Sequence, residues 1–287
     1  MSDVILVCGG TGRQGHAVAM SLLQKQQKIR ILTRNISSQT QQEKLKYFKN
    51  LGAEIVQADM TDEHSLQKAL QGVARVFLMT TPYEAGVELE VQQGITTIDA
   101  AKKSNIEQLV FSSVGSTNKN SGVPHFESKW KIEQYLYQSK IPSTVIRPVA
   151  FMDEMAPPAI LSDIQNNILT LPLTPGRKFQ TIAIRDIGEF AAAALTQSSF
   201  IGQKIDIAGE ELTPEGYTDI ISKYMNKPLR YQQMPDSQLE STFGHDLALM
   251  FRWFNRVGYD VNIAELKKQY GLALTSFKKL VTENLKV

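Results

Sequence analysis

Gly9-Gly10-Thr11-Gly12-Arg13-Gln14-Gly15 decides how the rest of the chain is read. An apolar run, Val4-Ile5-Leu6-Val7-Cys8, precedes it with strand character. A helical pattern of Ala17, Val18, Met20, Leu22 and Leu23 follows, and a second apolar stretch runs from Ile29 to Thr33. Strand, glycine turn, helix, strand is the first unit of a dinucleotide-binding fold. Gly9 lets the chain turn off the strand, Gly12 lets backbone approach a pyrophosphate, and Gly15 lets the helix pack against the sheet. The helix start near Gln14 aims free N–H groups and the positive end of its dipole at the phosphates. A glycine turn holding no ligand is the alternative reading, and the flanking elements weigh against it.

The end of the second strand indicates which dinucleotide. An acid there would hold a ribose 2′-OH and repel a 2′-phosphate. This chain has Thr33-Arg34-Asn35 instead, with no acid before Glu43. Arg34 can stack on adenine and fork onto a phosphate, and Arg13 can reach the same group. The rival for Arg34 is a solvated loop cation. The sequence points to NADP(H).

The 287 residues suffice for one large α/β domain or one with a smaller lobe. Lys plus Arg (31) nearly cancel Asp plus Glu (29), which argues against nucleic acid or an anionic membrane as partner. No apolar run approaches the ~18 residues of a membrane span, and no leader pattern opens the chain. Its single cysteine, Cys8, excludes an internal disulfide, reads as structural and fits a reducing, cytoplasmic setting. His16, His64, His125 and His245 show no metal-ligand spacing.

Along the chain, strands and helices alternate up to Arg147, which predicts a doubly wound parallel sheet. Strand Ala53 to Ala58 leads to Asp59 and Met60, where an adenine amino group and ring face can be read; a loop-turn role for Asp59 is equally open. Strand Arg75 to Met79 opens into Thr80, Thr81 and Pro82, which lie where the middle of a dinucleotide would run; Pro82 also reads as a strand stop. The Gly/Ser/Asn-rich stretch 114–122 reads as a mobile loop outside the core. Beyond Pro148 the rhythm breaks. Short strands at 169–172 and 180–184 flank a Pro175-Gly176 turn, Asp186 caps a helix, and Lys204 to Ile207 rejoins the sheet. Residues 1–150, rejoined by about 180–208, read as the nucleotide domain. Residues 151–179 and 209–287 read as a smaller, mainly helical C-terminal lobe, with Phe243, Met250, Phe251, Trp253, Phe254 and Tyr259 mostly in its core.

Hydride transfer needs assistance at the substrate oxygen. Short-chain dehydrogenase/reductases supply it with a Tyr four residues before a Lys. Here the matching helix reads His125-Phe126-Glu127-Ser128-Lys129, which keeps the lysine and replaces the tyrosine by histidine on the same helix side. Together with Ile146-Arg147-Pro148-Val149-Ala150-Phe151-Met152, Ala183-Ile184-Arg185-Asp186-Ile187-Gly188 and Ala208-Gly209-Glu210-Glu211-Leu212-Thr213, these motifs resemble the NmrA-like group of atypical short-chain dehydrogenase/reductases over nearly the whole chain. The resemblance implies a Rossmann domain with a small C-terminal lobe and NADP(H) in its cleft. It implies that the loop glycines, Thr11, Arg13, Gln14 and Arg34 hold the adenosine half and that Lys129 bonds the nicotinamide ribose. Pro148 to Phe151 would pack on the nicotinamide. Some members of the group are redox sensors that bind a regulatory protein, and others reduce quinones or related small molecules. Neither Ser112 nor Ser113 can be matched to the family's active-site serine. With histidine titrating near ~6.5, an alkoxide is a poor match and a quinone a better one. His125 then reads as a donor and Lys129 as an orienter; the alternative is that both only position cofactor and lid.

Overall fold

The computed structural model describes residues 3–37, 39–156 and 165–284. The opening unit is β1 (Val4–Val7), α1 (Arg13–Gln24) and β2 (Ile29–Thr33). It is followed by α2 (Gln39–Asn50), β3 (Glu54–Gln57), α3 (Glu63–Ala69), β4 (Val73–Met79) and α4 (Gly86–Lys103). The alternation closes with β5 (Gln108–Ser112), α5 (Pro124–Ser139) and β6 (Ser143–Pro148). Ile5, Leu6 and Val7 are fully buried, as a strand covered by helices on both faces requires. Each such side chain contributes about 1.5–3 kcal/mol of burial energy.

Four further strands are β7 (Ala150–Phe151), β8 (Ile168–Leu171), β9 (Phe179–Ile182) and, after α6 (Ile184–Thr196), β10 (Lys204–Ile207). The main sheet has seven strands in the order β10-β6-β5-β4-β1-β2-β3. The registered ladders from β3 to β6 are all parallel. Strand order reverses between β1 and β4, so the glycine loop leaves the sheet at its switch point. Cys8, next in the chain after β1, is fully buried and its thiol is pushed up to about 12 by burial, which makes it an inert packing residue.

The chain divides into two compact units. The first comprises residues 1–117, 125–147 and 187–205, and the second 118–124, 148–186 and 206–287. In the second, β9 lies between β7 and β11 (Glu210–Leu212), while β8 pairs in parallel with β12 (Arg230–Gln233) on the far side of α7 (Pro214–Met225) in sequence. Helices α8 (Asp236–Phe243), α9 (His245–Arg256), α10 (Ile263–Tyr270) and α11 (Phe277–Asn284) complete it. Trp253 and Phe254 are buried; Phe243, Met250, Phe251 and Tyr259 are half-buried around them. The Tyr217 hydroxyl and Thr181 Oγ1 are 2.9 Å apart, and the Tyr217 ring meets Phe277 edge-on at 4.7 Å.

Strands β8 and β9 stand on either side of Pro175-Gly176, and each pairs with a strand more than 25 residues away, β8 with β12 and β9 with β11. Two sequence expectations change. Asp186 is not a helix cap. It sits inside the first turn of α6 and accepts from Thr275 N and Oγ1, whereas Asp153 accepts from Ile184 N at the helix start. The stretch 114–122 is not wholly outside the core. Gly115, Ser116, Thr117 and Ser121 are buried, since a hydroxyl with an internal acceptor can leave water. Of the irregular stretch 151–158, Met152 to Met155 forms a short 3-10 turn; Pro157 and Pro158 lie outside the described residues.

Candidate nucleotide site

The glycines act as the turn demands. Gly9 has φ +69°, a conformation that favours glycine, and Gly12 N donates to Gly9 O at 2.9 Å. A Cβ on Gly15 would stand 2.1 Å from Gly9 O and 2.4 Å from Gly9 C, both backbone atoms. Helix α1 therefore approaches the end of β1 closer than any side chain permits. Its N-cap, Gly12, offers no side-chain acceptor, and its first turn carries no acid, so the helix itself supplies no counter-charge to the positive end of its dipole. Gly15→Ala is expected to cost about 1–3 kcal/mol by overpacking and to open the loop, read as a lower Tm with loss of nucleotide affinity.

The neighbouring side chains are held. Ser112 Oγ donates to Gln14 Oε1 at 2.8 Å, which ties the loop to the end of β5. Lys44 Nζ donates to Thr11 O at 3.2 Å. Arg13 is exposed at the start of α1. Arg34, past the end of β2, is exposed and forms an ion pair with Glu84 from the turn after β4; its carbonyl accepts from Gln57 Nε2 at 3.0 Å. The sequence shows no acid close to Arg34 in the chain, but the fold brings one from fifty positions away. Asp59 is exposed, and its carboxyl is held below the usual range by the Thr61 backbone N–H, with the Thr61 hydroxyl and Arg34 adding to it. This is the loop-turn geometry. Met60 is buried in the apolar cluster beneath β3 and β4.

At the other side of the switch point, α5 carries His125 and Lys129 one turn apart, both buried. Lys129 Nζ donates to Thr80 O at 2.6 Å and to Thr80 Oγ1 at 3.0 Å, and it pairs with Glu90 Oε1 at 3.0 Å. Thr80 thus takes up to two of the three N–H groups of the ammonium, and Glu90 supplies its counter-charge. Glu90 is fully buried and also accepts from Thr80 Oγ1 and Ser128 Oγ. The ammonium lies 5.4 Å from the centroid of the Phe111 ring. The His125 ring stands 4.8 Å from Phe126 and 6.1 Å from Tyr83, which is largely exposed. Thr81 Oγ1 accepts from Tyr83 N at 3.4 Å, and Pro82 O accepts from Gly86 N at 2.7 Å, which shapes this loop into a turn.

The structure places both serines. Ser112 serves Gln14, as above. Ser113 Oγ donates to Glu133 Oε1 at 2.5 Å, inside a buried network with Thr117, Tyr137 and Arg147. Pro148, Val149 and Phe151 belong to the second unit. Pro148 and Val149 are buried there and Phe151 half-buried, and Val149 N donates to Ile207 O at 3.1 Å. Among the described residues no three His, Cys, Asp or Glu side chains gather to hold a metal ion, and no helix is long and apolar enough to cross a membrane.

Reading the sequence missed Tyr83, Glu84, Glu90 and Glu133. An arginine inside the apolar strand Ser143–Pro148 is the one local signal, since buried Arg147 demands a carboxylate. The family model that describes the NmrA-like family matches residues 1–282. The chain belongs to the NmrA-like family. An NmrA-like family domain-containing protein of Dictyostelium discoideum is 30% identical over 273 residues, 90% of this chain and 89% of its own length. Two solved structures share the fold at low identity. Citrobacter sp. triphenylmethane reductase complexed with NADP(H) has a TM-score of 0.86 and 19% identity, over 98% of this chain and 99% of its own. The NADPH-dependent quinone oxidoreductase of Escherichia coli complexed with NADPH has a TM-score of 0.84 and 22% identity, again over 98% and 99%.

Proposed function

We propose that this NmrA-like protein binds NADP(H) and reduces a quinone or similar conjugated carbonyl in the cytoplasm. The observation that carries the reading is the position of Lys129. It stands one turn from His125 and is tied to Thr80 at the end of β4, the strand beside β1 and its glycine loop. The glycine cradle fits a pyrophosphate, because backbone meets backbone where a Cβ would intrude and the first turn of α1 carries no acid of its own. Gly9, Thr11, Gly12, Arg13, Gln14 and Gly15 would hold the phosphates, Arg34 a 2′-phosphate, and Thr80 to Pro82 the middle of the molecule. NADPH, when bound, supplies the hydride. The chain's own part is to orient the acceptor and hold a proton near its oxygen. His125, set against the exposed ring of Tyr83, would donate an N–H there. Names of structural neighbours support the choice: one is a triphenylmethane reductase and one a quinone oxidoreductase.

The test is NADPH oxidation over a panel of quinones and conjugated carbonyls. Turnover with at least one acceptor is expected, and none with any would reject the enzyme reading. His125→Phe is expected to lower kcat about tenfold with KM for NADPH unchanged, the effect of one lost donor at the oxygen.

A non-catalytic, cofactor-gated sensor of a protein partner is the second reading. It is favoured by the burial of Lys129, whose ammonium is already held by two hydrogen bonds to Thr80 and an ion pair with Glu90. Binding of a cellular protein that disappears on adding NADPH supports it; equal binding at zero and saturating cofactor rejects it.

A further inference from the structure

Arg34 follows β2 and Glu84 follows β4, and in the sheet β1 lies between those two strands. Their ion pair therefore joins the two sides of the glycine loop that leaves β1. Both side chains are about half exposed, 49% for Arg34 and 52% for Glu84, so the pair is screened by water and readily exchanged. Asp59 also lies within electrostatic reach of Arg34, but its carboxylate is fixed by Thr61 N and Oγ1 within its own turn. Glu84 is the carboxylate that occupies the guanidinium itself.

We propose that Glu84 sets the strength of this protein's preference for the 2′-phosphorylated dinucleotide, by holding the Arg34 side chain that the phosphate must take over. The inference rests on the NADP(H) reading above. A phosphate dianion offers Arg34 more charge and a bidentate acceptor, so it displaces the carboxylate. A carboxylate left close to that dianion repels it, which lowers affinity below what Arg34 alone would give. An unphosphorylated nucleotide presents only a 2′-OH. It neither needs the guanidinium released nor suffers the repulsion. Glu84 thus acts on one of the two nucleotides, mainly by holding Arg34 and in smaller part by repelling the phosphate.

Dissociation constants for NADPH and NADH, measured by fluorescence titration, test this in the wild type, Glu84→Gln, Arg34→Ala and the double variant. Glu84→Gln is expected to tighten NADPH by about three- to tenfold and to leave NADH within about twofold. Arg34→Ala is expected to weaken NADPH at least tenfold, and on that background Glu84→Gln should tighten NADPH by no more than about twofold, the share of direct repulsion, and leave NADH unchanged. NADH binding shows in each variant that the groove has kept its shape. Unchanged or weaker NADPH binding in Glu84→Gln, or equal tightening of both nucleotides, overturns the inference while leaving the NADP(H) reading intact. A wild type that binds NADH as tightly as NADPH, or binds neither, defeats the NADP(H) reading and this inference with it.

Discussion

Glu133→Ala is expected to destabilise the fold by about 3–5 kcal/mol, enough to lower Tm by roughly 10 °C. Glu133 is fully buried on α5, and every acceptor position is used. Arg147 donates to it through Nε at 3.0 Å and through a terminal nitrogen at 2.7 Å. Tyr137 adds a hydroxyl at 2.6 Å, Ser113 one at 2.5 Å and Thr117 one at 3.0 Å. Burial and the adjacent carboxylate push the Tyr137 hydroxyl up, so it stays a donor throughout the physiological range. Removal of the carboxylate takes from the Arg147 guanidinium, 5% exposed and 5.9 Å from the Trp130 ring centroid, the counter-charge that two of its nitrogens bond. Three hydroxyls lose their acceptor as well. The double variant Glu133→Ala/Arg147→Met should recover part of the loss, because no charge then stays behind. Urea unfolding gives both values. A single variant within about 1 kcal/mol of wild type would show that water reaches Arg147 and that the network is not sealed.

That network also marks how far the sequence can be read. The period of apolar residues, the glycine stops and a Pro at a helix start are local signals. They place β2 at Ile29 to Thr33 and β10 at Lys204 to Ile207 without error, and the succession of strands and helices along the chain up to β6 shows as simple alternation. The Gly9-to-Gly15 turn is legible for the same reason, since its φ angle and close contact are demands made by adjacent residues. Ladder partners are a different matter. β12 reads Arg230-Tyr231-Gln232-Gln233, with no apolar alternation, and exists because β8 offers it an edge. Buried carboxylates are equally silent. Glu90 and Glu133 look like ordinary polar helix positions until Lys129 and Arg147 arrive from elsewhere in the fold. The ion pair of Arg34 with Glu84 links residues fifty positions apart, so the reading of Arg34 as a bare cation had no local sign to correct it.

Lys129→Met is the second large effect, again about 3–5 kcal/mol, and it separates two jobs that one lysine can do. Glu90 has no exposure, so loss of the ammonium strands its charge between α4 and α5 with only Thr80 and Ser128 hydroxyls to solvate it. Loss of activity in the single variant would therefore say little about a role at the nicotinamide ribose. The pair Lys129→Met/Glu90→Gln removes both charges. It should regain much of the stability, since the neutral amide that replaces the carboxylate keeps an oxygen for one of the Thr80 and Ser128 hydroxyls and turns an NH2 donor to the oxygen of the other. A folded double variant that binds NADPH as the wild type does, with kcat intact, makes Lys129 a strut that fixes α5 to the end of β4. If the double variant folds but loses about tenfold or more in NADPH affinity, the lysine must leave Thr80 or Glu90 when the nucleotide arrives. In that case the three contacts that hold its ammonium describe its resting position, and the release of one of them is part of binding.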